Sequence, residues 1–155
     1  MTAPEKIIYK TKLKQHCIAV IEQRVANSQH AMQGAQDAAN EEEKSSAGDK
    51  YETARAMSHL QKDMHAKQLE ANRQDLSAVA AINCEILYDA VHPGSVVICE
   101  DASFFIAAGL GKISFEGKEL YLLSPQAPVA ALLFHKKKGD SILFNNRTFL
   151  ICDLF

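Results

Sequence analysis

Apolar positions follow two different patterns along the chain. In the first part Ile18, Ile21, Val25, Met32, Ala35 and Ala39 recur at alternating steps of three and four, with Ser28 taking one place in the series. That spacing is the seam of a heptad helix. Its residues shrink from Ile and Val to Ala, which lets a partner helix come closer near residue 39. The helix begins where Thr2 and Glu5 bracket Pro4 at capping-box spacing, and it runs to about Ala39 with Gly34 as its one glycine. A second helix is predicted from about Asp49 to Val79, a stretch without Gly or Pro. Met57, Leu60 and Met64 start its apolar stripe, and Leu69, Leu76 and Val79 continue it after a phase slip. Both stripes are narrow and the other faces are polar, so neither helix is expected inside a globular core. Two such helices joined by a short polar connection predict an antiparallel coiled-coil hairpin, roughly 45 to 60 Å long at ~1.5 Å per residue.

After "HPGS" (92 to 95) the pattern changes. "VVICE", "SFFIAAG" and "KELYLLS" read as strands punctuated by Gly109, Gly111 and Gly117. "SPQAPVAALLFHKKKGD" reads as a loop and a short helix from about Pro128 to Phe134, and "SILF", the turn "NN" and "RTFLICDLF" as a closing hairpin. A small antiparallel sheet packed on one short helix makes the fold class α+β. The division expected is a helical hairpin over 1–80, with its acidic tip at about 40–54, and a second domain over 81–155.

Composition narrows the function classes. The chain has 155 residues, 47% apolar and 23% charged, enough for one domain or two small ones. A net charge of -2 and a pI near 6.3 provide no global basic field for autonomous nucleic-acid binding. No apolar run approaches the ~20 residues that span a bilayer, and "MTAPEKIIYK" has no signal-peptide core. Cys17, Cys84, Cys99 and Cys152 are far apart and lack any CxxC, which suits reduced, mostly buried thiols. A cytoplasmic location without membrane contact is the expectation.

The chemistry concentrates at "GDKYETA" (48 to 54), where Asp49 and Glu52 follow Gly48 between the two helices. Spacing alone suits a plain helix cap, with Asp accepting backbone N–H groups and Glu favouring the positive helix end. Glu41, Glu42 and Glu43 read as a solvated acidic face, and Lys136, Lys137 and Lys138 as a charged loop. Lys6, Lys10, Lys12 and Lys14 read as a soluble face at the base of the first helix, with a path for RNA as the sharper alternative. His59 and His65 have no second pair of ligands, and Phe104, Phe105, Phe115, Phe134, Phe144 and Phe149 read as core and sheet residues.

Together these features resemble the bacterial GreA/GreB-type transcription elongation factors over the whole chain. "GDKYETA" is similar to the family's Gly-Asp-x-x-Glu-Asn-Ala signature, and "SPQAPVAALLFHKKKGDSILFNNRTFLICDLF" (124 to 155) to its Ser-Pro, short-helix, Gly-Asp and closing-hairpin segment. The resemblance implies an FKBP-like fold for the second domain. It implies that the hairpin enters the secondary channel of RNA polymerase, and that the chain is a monomer and no enzyme by itself. Asp49 and Glu52 would then help hold a Mg²⁺ shared with the polymerase, so that it cuts backtracked RNA near the 3′ end. Lys50 and Arg55 flank the acids and become candidates for contacts to RNA phosphate or polymerase, and Thr53 stands where the family has Asn. Two alternatives stay open: a channel-occupying regulator that does not promote cleavage, and a coiled-coil adaptor unrelated to transcription.

Overall fold

A computed structural model describes the backbone of residues 1–43 and 48–155, and the side chains of all of these outside 42–51. The chain is α+β and divides into two compact units, Met1–Ile18 with Ala78–Phe155, and Ala19–Ser77. Two long helices come first, α1 (Ala3–Glu43) and α2 (Gly48–Ala80). Strands β1 (Val96–Cys99), β2 (Ser103–Ile106), β3 (Gly111–Phe115) and β4 (Lys118–Leu123) follow. The short helix α3 (Pro128–Leu133) and strands β5 (Ser141–Phe144) and β6 (Arg147–Leu154) complete the chain.

The start of α1 is the capping box: the Thr2 N–H donates to the Glu5 carboxylate and the Glu5 N–H to Thr2 Oγ1. These bonds hold the Glu5 carboxyl below its ordinary range. From there the helix binds the sheet domain. Tyr9 packs edge-on against Phe115 (5.1 Å) and Phe155 (5.9 Å), and Leu13 and Cys17 are fully buried. The expectation that this helix stays outside any globular core therefore fails over its first five turns, for a reason that lies in its lysines.

Lys10 is completely buried, donating to the Ile86 carbonyl at 2.7 Å with its ammonium 4.8 Å from the Tyr88 ring centre. Lys6 pairs with Asp153 at 2.8 Å, Lys12 with Glu116 at 3.3 Å, and Lys14 donates to the carbonyls of Ala80 and Ile82, both at 2.8 Å. The soluble-face reading is corrected for Lys6, Lys10 and Lys14, while Lys12 is exposed and fits it. Their amines satisfy acceptors at the end of α2, on the segment after it, in the β3–β4 turn and on β6.

The sheet has six strands in the order β3-β4-β2-β1-β6-β5. All neighbours are antiparallel except β2 and β4, which run parallel with Phe104 opposite Tyr121. The purely antiparallel sheet expected from the sequence is corrected at this pair. It arises because β3, hidden among glycines, lies between them in the chain and forms the edge beyond β4. Left-handed residues close both tight hairpins: Glu116 and Gly117 join β3 to β4, and Asn145 and Asn146 join β5 to β6. Phe104, Ile106, Ala130, Leu133, Ile142, Phe149 and Ile151 belong to the buried core around the sheet and α3. The four cysteines are free; burial pushes the thiols of Cys17 and Cys99 up to about 12 and about 11, Cys152 adding to the shift at Cys99.

Within residues 19–77 the seam of α1 lies where the heptad spacing puts it. Ile21, Ser28, Ala35 and Ala39 are buried and Val25 and Met32 half-buried. The side chain of Lys62 donates to Gln36 Oε1 at 2.6 Å, and Arg24, Asn27 and Ser28 share an open notch with Gln68, Ala71 and Asn72. These pairings make the two helices an antiparallel hairpin. On α2 the inward positions are Ala54, Ser58, Lys62, His65, Leu69, Asn72 and Leu76. From Ser58 onward they alternate steps of four and three as one heptad series, and Ala54 precedes it by a second step of four, a break in register. Met57, Leu60 and Met64 stand outside it, at 54%, 63% and 53% exposure. The first half of the expected apolar stripe is thus corrected: it faces solvent.

Candidate functional site

The candidate site is the junction where α1 ends at Glu43 and α2 begins at Gly48. Asp49 is the second residue of α2 and Glu52 the fifth, three residues apart, a spacing that puts two positions on one helix face. Free N–H groups and the positive end of the helix dipole favour carboxylates there. Glu52 is exposed. The side chains of Asp49 and Lys50 lie outside the described residues. Thr53 is exposed, and so is Arg55, which has a contact of its own.

The other side of the junction adds negative charge. The last turn of α1 carries no basic residue, and its sequence ends in Glu41, Glu42 and Glu43, at the helix pole where the dipole is already negative. Glu41 is exposed; the side chains of Glu42 and Glu43 lie outside the described residues. An electronegative junction of this kind concentrates cations. It does not assemble a closed metal cage: among the described residues no group of three or more His, Cys, Asp or Glu is gathered to hold an ion. Two carboxylates by themselves supply fewer oxygens than the octahedral shell of Mg²⁺ holds.

The other residues singled out in the sequence fall elsewhere. Lys136, Lys137 and Lys138 are exposed in the turn after α3, where the Asp140 carboxylate accepts the Lys137 N–H at 2.8 Å. His59 is exposed, and His65 is half-buried, its Nδ1 3.3 Å from Gln68 Oε1. Phe104, Phe105 and Phe149 are buried, while Phe115, Phe134 and Phe144 are half-buried.

One concave feature was not foreseen in the sequence. A cavity of about 270 Å³ on the sheet domain is walled by Phe104, Tyr121, Phe144 and Phe149, with Asp101 and Arg147 at its rim. Phe104 lies 5.7 Å from Tyr121 and 5.6 Å from Phe149, and the Arg147 guanidinium lies 5.3 Å from the Phe149 ring centre. The residues come from β2, β4, β5 and β6, so only the strand order brings them together. Among the described residues no helix is long and apolar enough to cross a membrane. No family model, no curated protein and no solved structure matches the chain.

Proposed function

We propose that the protein is a transcription elongation factor that inserts its helical hairpin into the secondary channel of RNA polymerase and stimulates cleavage of backtracked RNA. The observation that carries the reading is Asp49-x-x-Glu52 at the start of α2, with Glu52 exposed near the end where the two hairpin helices meet. Asp49 and Glu52 would supply carboxylate oxygens to a Mg²⁺ ion shared with the polymerase, and that ion would activate water and neutralise phosphate charge. The chain's own task is positioning: the helix start holds the two acids one turn apart, and the hairpin carries them to an active site that lacks them. Nascent RNA is met only inside that complex, in keeping with the net charge of -2. The α+β sheet domain with one short helix supports an FKBP-like reading, and the docking role it implies lies at the channel rim. Fold alone assigns no isomerase activity to it.

Transcript cleavage in arrested complexes tests the proposal. Wild type is expected to raise the cleavage rate, and Asp49→Ala and Glu52→Ala each to lower it by about 10²-fold or more while binding to polymerase persists. Undiminished cleavage in both variants would remove the role assigned to the acids. A second reading with the same partner is a channel-occupying regulator without cleavage, and Lys50 and Arg55 beside the acids favour it, because cations there compete for the carboxylates. It predicts that wild type binds and leaves cleavage unchanged or slower.

A further inference from the structure

The distal half of α2 is built inside out. Between Ala54 and His65 the inward series consists of Ala54, Ser58, Lys62 and His65, small or polar side chains. Met57, Leu60 and Met64 stand in water on a neighbouring face, spaced three and four apart so that they form one strip. Exchanging the two sets would improve the packing of the hairpin, so an outward apolar strip conflicts with stability and points to a contact outside the chain.

Its size says what kind of contact. Three side chains of this size, each about half exposed, offer about 300 Å², well short of the ~800 Å² per partner in a stable association. The strip also spans a single heptad, against the three or four that a coiled-coil partner helix needs. A second copy of this chain is therefore a poor occupant. The occupant must be a body that grips the protein elsewhere as well. Position along the helix identifies it: at ~1.5 Å per residue, Met57 lies about 7.5 Å beyond Glu52 along the axis and Met64 about 18 Å. An enclosure that receives Glu52 end-on to a depth of about 18 Å surrounds the strip too.

We propose that Met57, Leu60 and Met64 are a lateral docking strip that packs against an apolar wall of the channel receiving the hairpin. The inference rests on the reading above and adds to it the chemistry of the surface met. Methionine suits the task, because its unbranched, polarisable side chain adapts to an irregular wall. The acids then act on the reaction and the strip on residence, and the two roles separate experimentally.

The test is the triple variant Met57→Gln, Leu60→Gln and Met64→Gln, assayed with core polymerase. Glutamine is a good helix former and the three sites are exposed, so circular dichroism should match wild type. The expected result is a rise of at least tenfold in the concentration giving half-maximal cleavage, a shift in that midpoint rather than in the plateau. Asp49→Ala and Glu52→Ala should show the reverse split. A Met57→Leu, Met64→Leu variant, which keeps the strip apolar, should restore the wild-type midpoint. An unchanged midpoint in the triple variant overturns the strip and leaves the proposed function intact. A wild type that does not bind polymerase removes both. A wild-type dimer in sedimentation equilibrium that the triple variant dissolves overturns the proposal in favour of self-association.

Discussion

At the base of α1, Lys6, Lys10 and Lys14 turn toward protein and find acceptors there; along α2 from Ala54 to His65, methionine and leucine turn to water while lysine and histidine turn in. Both regions are helix, and both break the rule that apolar side chains go inside. They break it for different reasons. At the base every buried amine has a partner, and among the described residues no buried side-chain polar atom lacks one. The polar groups there lock the helix to the sheet and the linker, as ordinary hydrogen bonds do. In the distal hairpin the exposed apolar residues gain nothing from the fold that holds them. A satisfied exception is structural, and an unsatisfied one points outside the molecule.

The contrast is sharpest in truncation. Leu13→Ala, at a fully buried base position, is expected to cost about 2 to 5 kcal/mol in urea unfolding. Leu60→Ala, the same change at 63% exposure, should stay within about 0.5 kcal/mol. Equal costs would erase the distinction between the regions.

Lys10 gives the next largest effect and a signature in pH. Burial lowers its pKa to about 8 from 10.5, with Cys84 opposing the shift. Between pH 8 and 10.5 the unfolded chain keeps the proton that the folded one sheds, so stability rises with pH across that window. The gain is up to about 3 kcal/mol, at 1.36 kcal/mol per pH unit. Lys10→Met, measured by denaturation at pH 8 and pH 10.5, should lack the gain. A wild type with no such rise would show that the ammonium is hydrated, and the base would then resemble the exposed face.

The Lys6–Asp153 pair is the smallest lever. Burial raises the Asp153 carboxyl, but the Lys6 hydrogen bond, with those of Leu154 N–H and the charge of Lys138, outweighs it and leaves the pKa below the ordinary value of 3.8. Stability from this group is present above the unfolded pKa and is lost as pH falls through the folded value. Wild type should therefore lose about 1 kcal/mol more than Asp153→Asn on acidification from pH 5 to pH 3, read from thermal unfolding. Equal losses would reduce the pair to a surface contact.

Several features were legible before any coordinates. Thr2 and Glu5 mark the start of α1, Pro128 the start of α3, and Asn145-Asn146 the β5–β6 turn, because each signal acts between residues a few positions apart. The heptad from Ile21 through Ser28 to Ala35 was also readable, since those positions bury together. The candidate acids were found from their motif, and the backbone puts them at the second and fifth residues of α2. Strand β3 was obscured because Gly109, Gly111 and Gly117 look like punctuation, although Gly111 opens the strand.

By itself, then, the sequence determined the kinds of element, most of their ends and the place of the acidic pair, all consequences of local bonding and period. Tertiary structure alone decided which side of α2 lies inward between Ala54 and His65. Period 3.6 allows more than one face when Met57, Leu60 and Met64 compete with Ser58, Lys62 and His65, and only the partner surface breaks the tie. It also decided that Lys10 is buried, because the Ile86 carbonyl and Tyr88 ring that make this tolerable are more than seventy residues away. Burial of a charge is a property of what surrounds it, and a residue's own identity does not carry that information.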